Sequence, residues 1–242
     1  MSVKPEKTNG REMVNEKQFI AALAKISEAI TSDRYLDDIL KLIVSVTAEV
    51  MKSKICSILL LDEAKKELVV KATQSVSDAY NLKPPIKLGE GIAGKVAISG
   101  KPMTINDVRK DPLYLNRDLA VSEHLCSLLC VPLSFKGKTI GVLNCYTAKP
   151  HVFTKNEIDI LKSVANQAAI VIENFRLVVE TKVIKEELEA RKAVERAKGI
   201  LMKKQNMSEQ DAYNLIRKFS MDNRKSMREV SEAIILSEEI RT

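Results

Sequence analysis

The sequence predicts an α+β protein: an antiparallel sheet flanked by helices, then one long coiled-coil helix leading into an all-α three-helix bundle. Three observations predict it. Apolar runs of strand length (ICSILLLD, ELVVKAT, LCSLLCVPL and TIGVLNCY) occur before residue 147, interleaved irregularly with helical stretches, a pattern that favours antiparallel pairing. Seven of the eight glycines precede residue 142 and no proline follows Pro150, so the chain turns from turn-rich to continuously helical near Thr154. The net charge of +7 is confined to residues 191–228, where eleven Lys and Arg face four acids. A surplus so localised marks a surface facing a polyanion.

The elements follow in order. Residues 1–15 are polar, lack the apolar segment of a secretory signal, and are expected to be flexible. Helices are expected near 16–30 and 33–52, then the four strands. The last two strands are joined through Phe135-Lys136-Gly137-Lys138, a connection suited to a hairpin. Gly89-Glu90-Gly91-Ile92-Ala93-Gly94 matches GxGxxG, yet it follows Pro84-Pro85 without the strand entry or acidic ribose ligand of a dinucleotide site. It is read as a tight turn into a short helix.

From Thr154, apolar residues at helical spacing (Leu161, Val164, Ala165, Ala168, Ile172, Phe175, Val179) open a helix that nothing breaks before about Lys204. Such a helix spans roughly 75 Å. Its apolar stripe needs a second surface, and a parallel homodimer is predicted. Ser208-x-x-Asp211 and Ser226-x-x-Glu229 read as helix-starting capping boxes. Behind them, Ala212, Leu215, Ile216 and Phe219, then Val230, Ala233 and Ile234, are expected to form a bundle core. The predicted organisation is a flexible N-terminus (1–15), a sensor-like domain (16–178), a helical linker (179–190) and the basic bundle (191–242).

No Walker loop, HExxH, GxSxG or kinase signature occurs, and His124 and His151 are too few for acid–base or metal work. No catalytic residue, metal or cofactor is expected. Cys56, Cys126, Cys130 and Cys145 lie among apolar neighbours and read as buried structural thiols. If Cys126 and Cys130 share one strand, they stand roughly 13 Å apart, too far for a disulfide. No run of eighteen apolar residues suggests a membrane span, so a cytoplasmic protein without a membrane partner is expected.

LGEGIAGKVAISGKPMTINDVRKDPLY, CSLLCVPLSFKGKTIGVLNCY and FTKNEIDILKSVANQAAIVIEN make residues from about Lys17 to Phe175 resemble a GAF domain. The resemblance implies a GAF-like central antiparallel sheet used to sense a small molecule or to dimerise. Where cyclic-nucleotide-binding members carry an Asn-Lys pair, this chain has Thr147-Ala148, and His124 precedes Cys126 where bilin-binding members place histidine after cysteine. Neither ligand is expected. The resemblance places a pocket between the sheet and the loops after Met103, where Asp107, Tyr114, Cys130, Asn144 and Tyr146 could hold an unidentified small-molecule ligand; a filled core is the alternative.

Residues Glu195 to Ile235 are similar to an ANTAR domain, through Ala197-Lys198-Gly199-Ile200-Leu201-Met202, Ser208-Glu209, Ala212-Tyr213, Arg217, Met221, Arg224, Val230 and Ala233; Ser231 replaces a commoner alanine. That family's role implies transcription antitermination by binding RNA hairpins in nascent transcripts. Lys198, Lys203, Lys204, Arg217, Lys218, Arg224, Lys225 and Arg228 flank the helix joints and are the expected phosphate contacts. Tyr213 is the candidate for stacking on a loop base, or for packing beside Ala212. Gly199 inside a helix suggests close approach by another helix or by RNA. Two other functions remain open on these residues: a bundle that binds duplex DNA, and a cysteine-based redox enzyme.

Overall fold

The computed structural model describes residues 16–30 and 35–240; the flexible N-terminus expected over 1–15 lies outside them. In chain order the elements are α1 (Glu16–Ile30), α2 (Leu36–Val50), β1 (Ile55–Asp62), β2 (Glu67–Thr73), α3 (Asp78–Asn81), β3 (Ile86–Lys87) and α4 (Gly91–Ser99). Then come β4 (Met103–Ile105), α5 (Arg117–Ser122), β5 (Leu128–Phe135), β6 (Lys138–Tyr146), α6 (Lys155–Gln205), α7 (Glu209–Asn223) and α8 (Met227–Glu239). Contacts divide the chain into two compact units after Asn174. No described helix is long and apolar enough to cross a membrane.

In the first unit a six-stranded sheet runs β3-β2-β1-β6-β5-β4, with every neighbouring pair antiparallel. The four expected strands form its centre, although the run that begins at Leu125 enters β5 only at Leu128. Strand periodicity sends alternate side chains to opposite faces. Ile55, Leu59, Leu128, Cys130, Val142 and Tyr146 join Ile92, Ala93 and Val96 of α4 in one buried cluster. Their alternates, including Cys56, Ile58, Leu129, Val131, Leu143 and Cys145, are buried as well, so both faces of the sheet are covered. The hairpin closes at Phe135↔Lys138, and Lys136 and Gly137 take φ of 48° and 81°, the left-handed pair that a two-residue turn between twisted strands requires.

The GxGxxG segment is a turn into α4, as expected. Gly89 and Gly91 have positive φ, and a Cβ on Gly94 would sit 2.4 Å from the Lys87 carbonyl oxygen. Strand β3, strand β4 and helices α3 and α5 have two, three, four and six residues. Elements that short carry no periodicity, and the sequence reading did not foresee them.

Helix α6 starts where Thr154 and Glu157 exchange bonds: the Glu157 amide donates to Thr154 Oγ1 (3.3 Å) and the Thr154 amide to Glu157 Oε2 (2.6 Å). Leu161, Val164, Ala165, Ala168 and Ile172 are buried, whereas Val179 is 59% exposed. In the second unit Ala197 and Leu201 of α6 pack with Ala212 and Ile216 of α7, and Val230 and Ile234 of α8 close over them. The Ser226 amide donates to Glu229 Oε2 (2.8 Å) while the Glu229 amide donates to Ser226 Oγ (3.1 Å), a complete capping box. At Ser208 the Asp211 amide donates to Oγ (3.1 Å) and Oγ donates to Asp211 Oδ2 (2.6 Å), without the bond from the Ser208 amide that would complete a box. Two expected core positions are corrected: Phe219, in the last turn of α7, is 56% exposed, and Ala233 is also exposed. The end of α6 and the two short helices α7 and α8 bury one narrow seam, and both side chains flank it.

Candidate sensor pocket and nucleic-acid interface

A small cavity of about 20 Å³ lies between the sheet and the segments that cover it. Of the five residues expected at a pocket, Tyr114, Asn144 and Tyr146 line it. Cys130 stands opposite Asn144 across β5 and β6 in the same buried cluster, and burial pushes its thiol pKa up. Asp107 is not brought there. It lies nearer the surface, bonded by Arg109 Nε (2.7 Å) and Nη2 (2.9 Å), and the Arg109 hydrogen bonds hold its carboxyl below the usual range.

The tyrosines form a packed polar layer. Tyr146 meets Tyr80 and Tyr114 edge-on, with ring centroids 6.1 and 6.2 Å apart. The Tyr114 hydroxyl donates to that of Tyr146 (3.3 Å), and the Tyr80 hydroxyl is bonded to Ser57 Oγ (2.9 Å). Burial raises the pKa of all three phenols, which stay neutral hydrogen-bonding groups.

Two features of the cavity were not foreseen. Lys83 lines it with only 9% of its surface exposed, and its Nζ lies 3.9 Å from the centroid of the Tyr80 ring. Desolvation lowers its ammonium pKa to about 8. Asn144 Oδ1 is buried without a hydrogen-bond partner. Nothing in the sequence separates Lys83 from the other Lys and Arg residues, since its burial follows from where the turn after α3 meets the sheet.

In the second unit, the expected phosphate contacts fall into two groups. Lys198 is 7% exposed and clamped, its Nζ donating to Glu209 (2.7 Å) and Glu195 (2.9 Å); these bonds, Glu209's first, raise its pKa. It ties α6 to the start of α7. Lys204 pairs with Glu238 (2.6 Å), Lys225 with Glu229 (3.2 Å) and Arg228 with Glu232 (2.7 Å). Lys203, Arg217, Lys218 and Arg224 are exposed and have no acidic partner among the described residues. Tyr213 is 37% exposed, one helical turn before Arg217 on the same face of α7. A Cβ on Gly199 would meet nothing within 4 Å, so no helix of this unit approaches it. Beside these cations an open groove of about 750 Å³ is lined by Leu201, Leu215, Phe219, Ala233 and Ile234.

The family model described as GAF domain matches residues 33–173, more than half of the chain. The chain belongs to the GAF domain family. A second family model, ANTAR domain, matches residues 183–235, so the GAF domain is followed by an ANTAR domain. The solved GAF domain of a phosphoenolpyruvate-protein phosphotransferase from Coxiella burnetii superposes with a TM-score of 0.62 at 25% identity, over 69% of this chain and 99% of that one. A free methionine-R-sulfoxide reductase from Neisseria meningitidis shares the fold at a TM-score of 0.58 and 22% identity, over 68% and 95%. Among curated relatives, the transcriptional regulatory protein PdtaR of Mycobacterium tuberculosis is 45% identical over 56 residues, 23% of this chain and 27% of that protein. The methyl sulfide methyltransferase-associated sensor of Methanosarcina acetivorans is 26% identical over 165 residues, 66% and 16%. The chain thus spans about a quarter or less of the length of these two relatives.

Within the GAF domain all four cysteines are free and buried. Cys56 and Cys145 are cross-strand partners in β1 and β6, and burial, then the hydrogen bond to Cys145, raises the Cys56 pKa. Strand β5 begins at Leu128, so Cys126 precedes it and Cys130 lies within it. Burial that raises the thiol pKa makes Cys56 and Cys130 poor nucleophiles, while Cys126 accepts a hydrogen bond from Arg109 Nη2 (3.3 Å).

Proposed function

We propose that this protein is an RNA-binding regulator of transcription antitermination. Its GAF domain receives a small-molecule signal, and its ANTAR domain binds hairpins in nascent transcripts, which places it in the cytoplasm. The observation that carries the reading is the set of cations without an acidic partner among the described residues (Lys203, Arg217, Lys218 and Arg224) exposed on the ANTAR domain, with Tyr213 exposed one helical turn before Arg217. Cations without protein partners are available to displace counterions from phosphates, and an exposed aromatic ring offers a stacking surface to an unpaired base.

The unit of action is a parallel homodimer. Between the two packed regions of α6, Leu177, Ile184 and Leu188 are 50%, 65% and 50% exposed at spacings of seven and four. That is the seam of a two-stranded coiled coil. A nucleophilic role for Cys56 or Cys130 is disfavoured, because burial raises the pKa of both thiols.

Fluorescence anisotropy of the full chain against a labelled RNA hairpin and a labelled DNA duplex of equal length tests the proposal. Tighter binding to the hairpin, weakened by salt, is expected. Preference for the duplex would replace the RNA reading with a DNA-binding one.

A further inference from the structure

The described residues bury only two charged side chains, Lys83 and Lys198. Lys198 is bonded to two carboxylates. Lys83 has no carboxylate partner among the described residues: its Nζ lies 3.9 Å from the centroid of the Tyr80 ring, and burial raises the Cys130 thiol pKa, so that thiol offers no counter-charge. A buried ammonium without an anion is costly, and a bound anion would offset that cost.

Two further features converge on the same cavity. Gly91, Ile92 and Ala93, the first turn of the nine-residue helix α4, line it, and Glu90 at the cap position makes no side-chain capping bond. A helix start carries free amides and partial positive charge. Asn144, 2% exposed, presents an acceptor oxygen with no donor. No acidic residue lines the cavity. Leu115 lies over the start of α4 yet is 54% exposed, so a modest shift of one side chain enlarges the space.

Deepening the sensor half of the proposed function, we propose that the GAF cavity binds a small organic carboxylate bearing a neighbouring hydroxyl or amine. The carboxylate sits on Lys83 Nζ and the start of α4, and the hydroxyl or amine donates to Asn144 Oδ1. The chemistry of the walls selects this class. Ile92, Leu115 and Leu128 are apolar and suit a short hydrocarbon, whereas the surplus oxygens of phosphate would be left unpaired against them.

The test uses the full chain, with thermal unfolding and titration calorimetry against glycolate and glycine. Acetate supplies the anion without the donor, glycolamide the donor without the anion, and sodium chloride and inorganic phosphate are run at matched ionic strength. Glycolate or glycine should raise the melting temperature and bind more tightly than acetate, while glycolamide does neither. Lys83→Met should weaken carboxylate binding about thirtyfold or more, and Asn144→Leu should abolish the preference for glycolate over acetate. Silence of both glycolate and glycine, an equal response in Lys83→Met, or a response to chloride or phosphate as large as to glycolate overturns the proposal. Loss of hairpin binding by the wild type would sink the RNA reading and leave the carboxylate result standing.

Discussion

Replacing Lys83 by Met should stabilise the GAF domain, which is unusual for a substitution at a buried position. Met keeps most of the aliphatic stem, so the packing against Tyr80 is retained and only the ammonium is lost. Burial lowers the Lys83 pKa from 10.5 to about 8, and each unit corresponds to 1.36 kcal/mol, so the charge costs on the order of 3 kcal/mol when fully protonated. The attraction of the Tyr80 ring, about 0.5–2 kcal/mol, opposes this desolvation and is lost together with the ammonium. With the ring attraction lost and some loss from imperfect Met packing, a net gain of about 1 kcal/mol at pH 6–7 is expected in the absence of ligand.

The pH dependence carries the sharper test. Between about 8 and 10.5 the unfolded wild-type chain holds a proton on Lys83 that the folded chain has shed, so wild-type stability rises through that window relative to Lys83→Met. The gain from the substitution should be full below pH 8 and gone above about pH 10.5. Urea unfolding followed by near-ultraviolet circular dichroism suits the measurement, because the chain has no tryptophan and three of its five tyrosines lie in this layer. A destabilised Lys83→Met, or a stability gap that does not change between pH 6 and pH 10.5, would refute the placement of an uncompensated charge.

Lys198 and Arg217 should separate in a charge-reversal experiment that the sequence treated as one. Lys198→Glu would bring a third carboxylate between Glu195 and Glu209, so melting of the ANTAR domain should fall by several degrees, as circular dichroism can show. Arg217→Glu should leave melting unchanged and weaken hairpin affinity about tenfold in anisotropy titrations; unchanged affinity removes Arg217 from the interface. Ile184→Lys places a charge on the exposed seam of α6 and should convert the dimer into monomers in sedimentation velocity, whereas a wild-type monomer would end the coiled-coil reading. Ellman's reagent should titrate four thiols in denaturant and none within minutes in the native protein; a fast native thiol would revive the redox-enzyme alternative.

The parts of the fold that were legible were those with long periodic patterns. The central strands have seven to nine residues each, enough for their apolar composition to stand out, and Thr154 and Ser226 mark helix starts through chemistry that acts within four residues. What escaped was decided by distant partners. Phe219 continues the apolar spacing of Ala212 and Ile216, but whether the last turn of α7 is covered depends on where α8 lies. Asp107 follows Met103 into the pocket-forming region, but Arg109, two residues later, turns its carboxylate to itself.

The two buried lysines show the limit most clearly. Each stands beside small or apolar neighbours in the sequence, Asn81-Leu82 before Lys83 and Ala197 and Gly199 around Lys198, and charge counting gives each the same +1. Composition placed the polyanion-facing surface on residues 191–228, and within that segment it counted Lys198 as a contact. The fold reassigns it: with Glu195 and Glu209 at 2.9 and 2.7 Å, Lys198 is neutralised and structural. Lys83, outside any basic cluster, is the charge left without a counter-ion. Availability for a ligand therefore follows from the balance of partners after folding, and on that balance rest the proposed ligand recognition by Lys83 and the proposed phosphate contacts of Lys203, Arg217, Lys218 and Arg224.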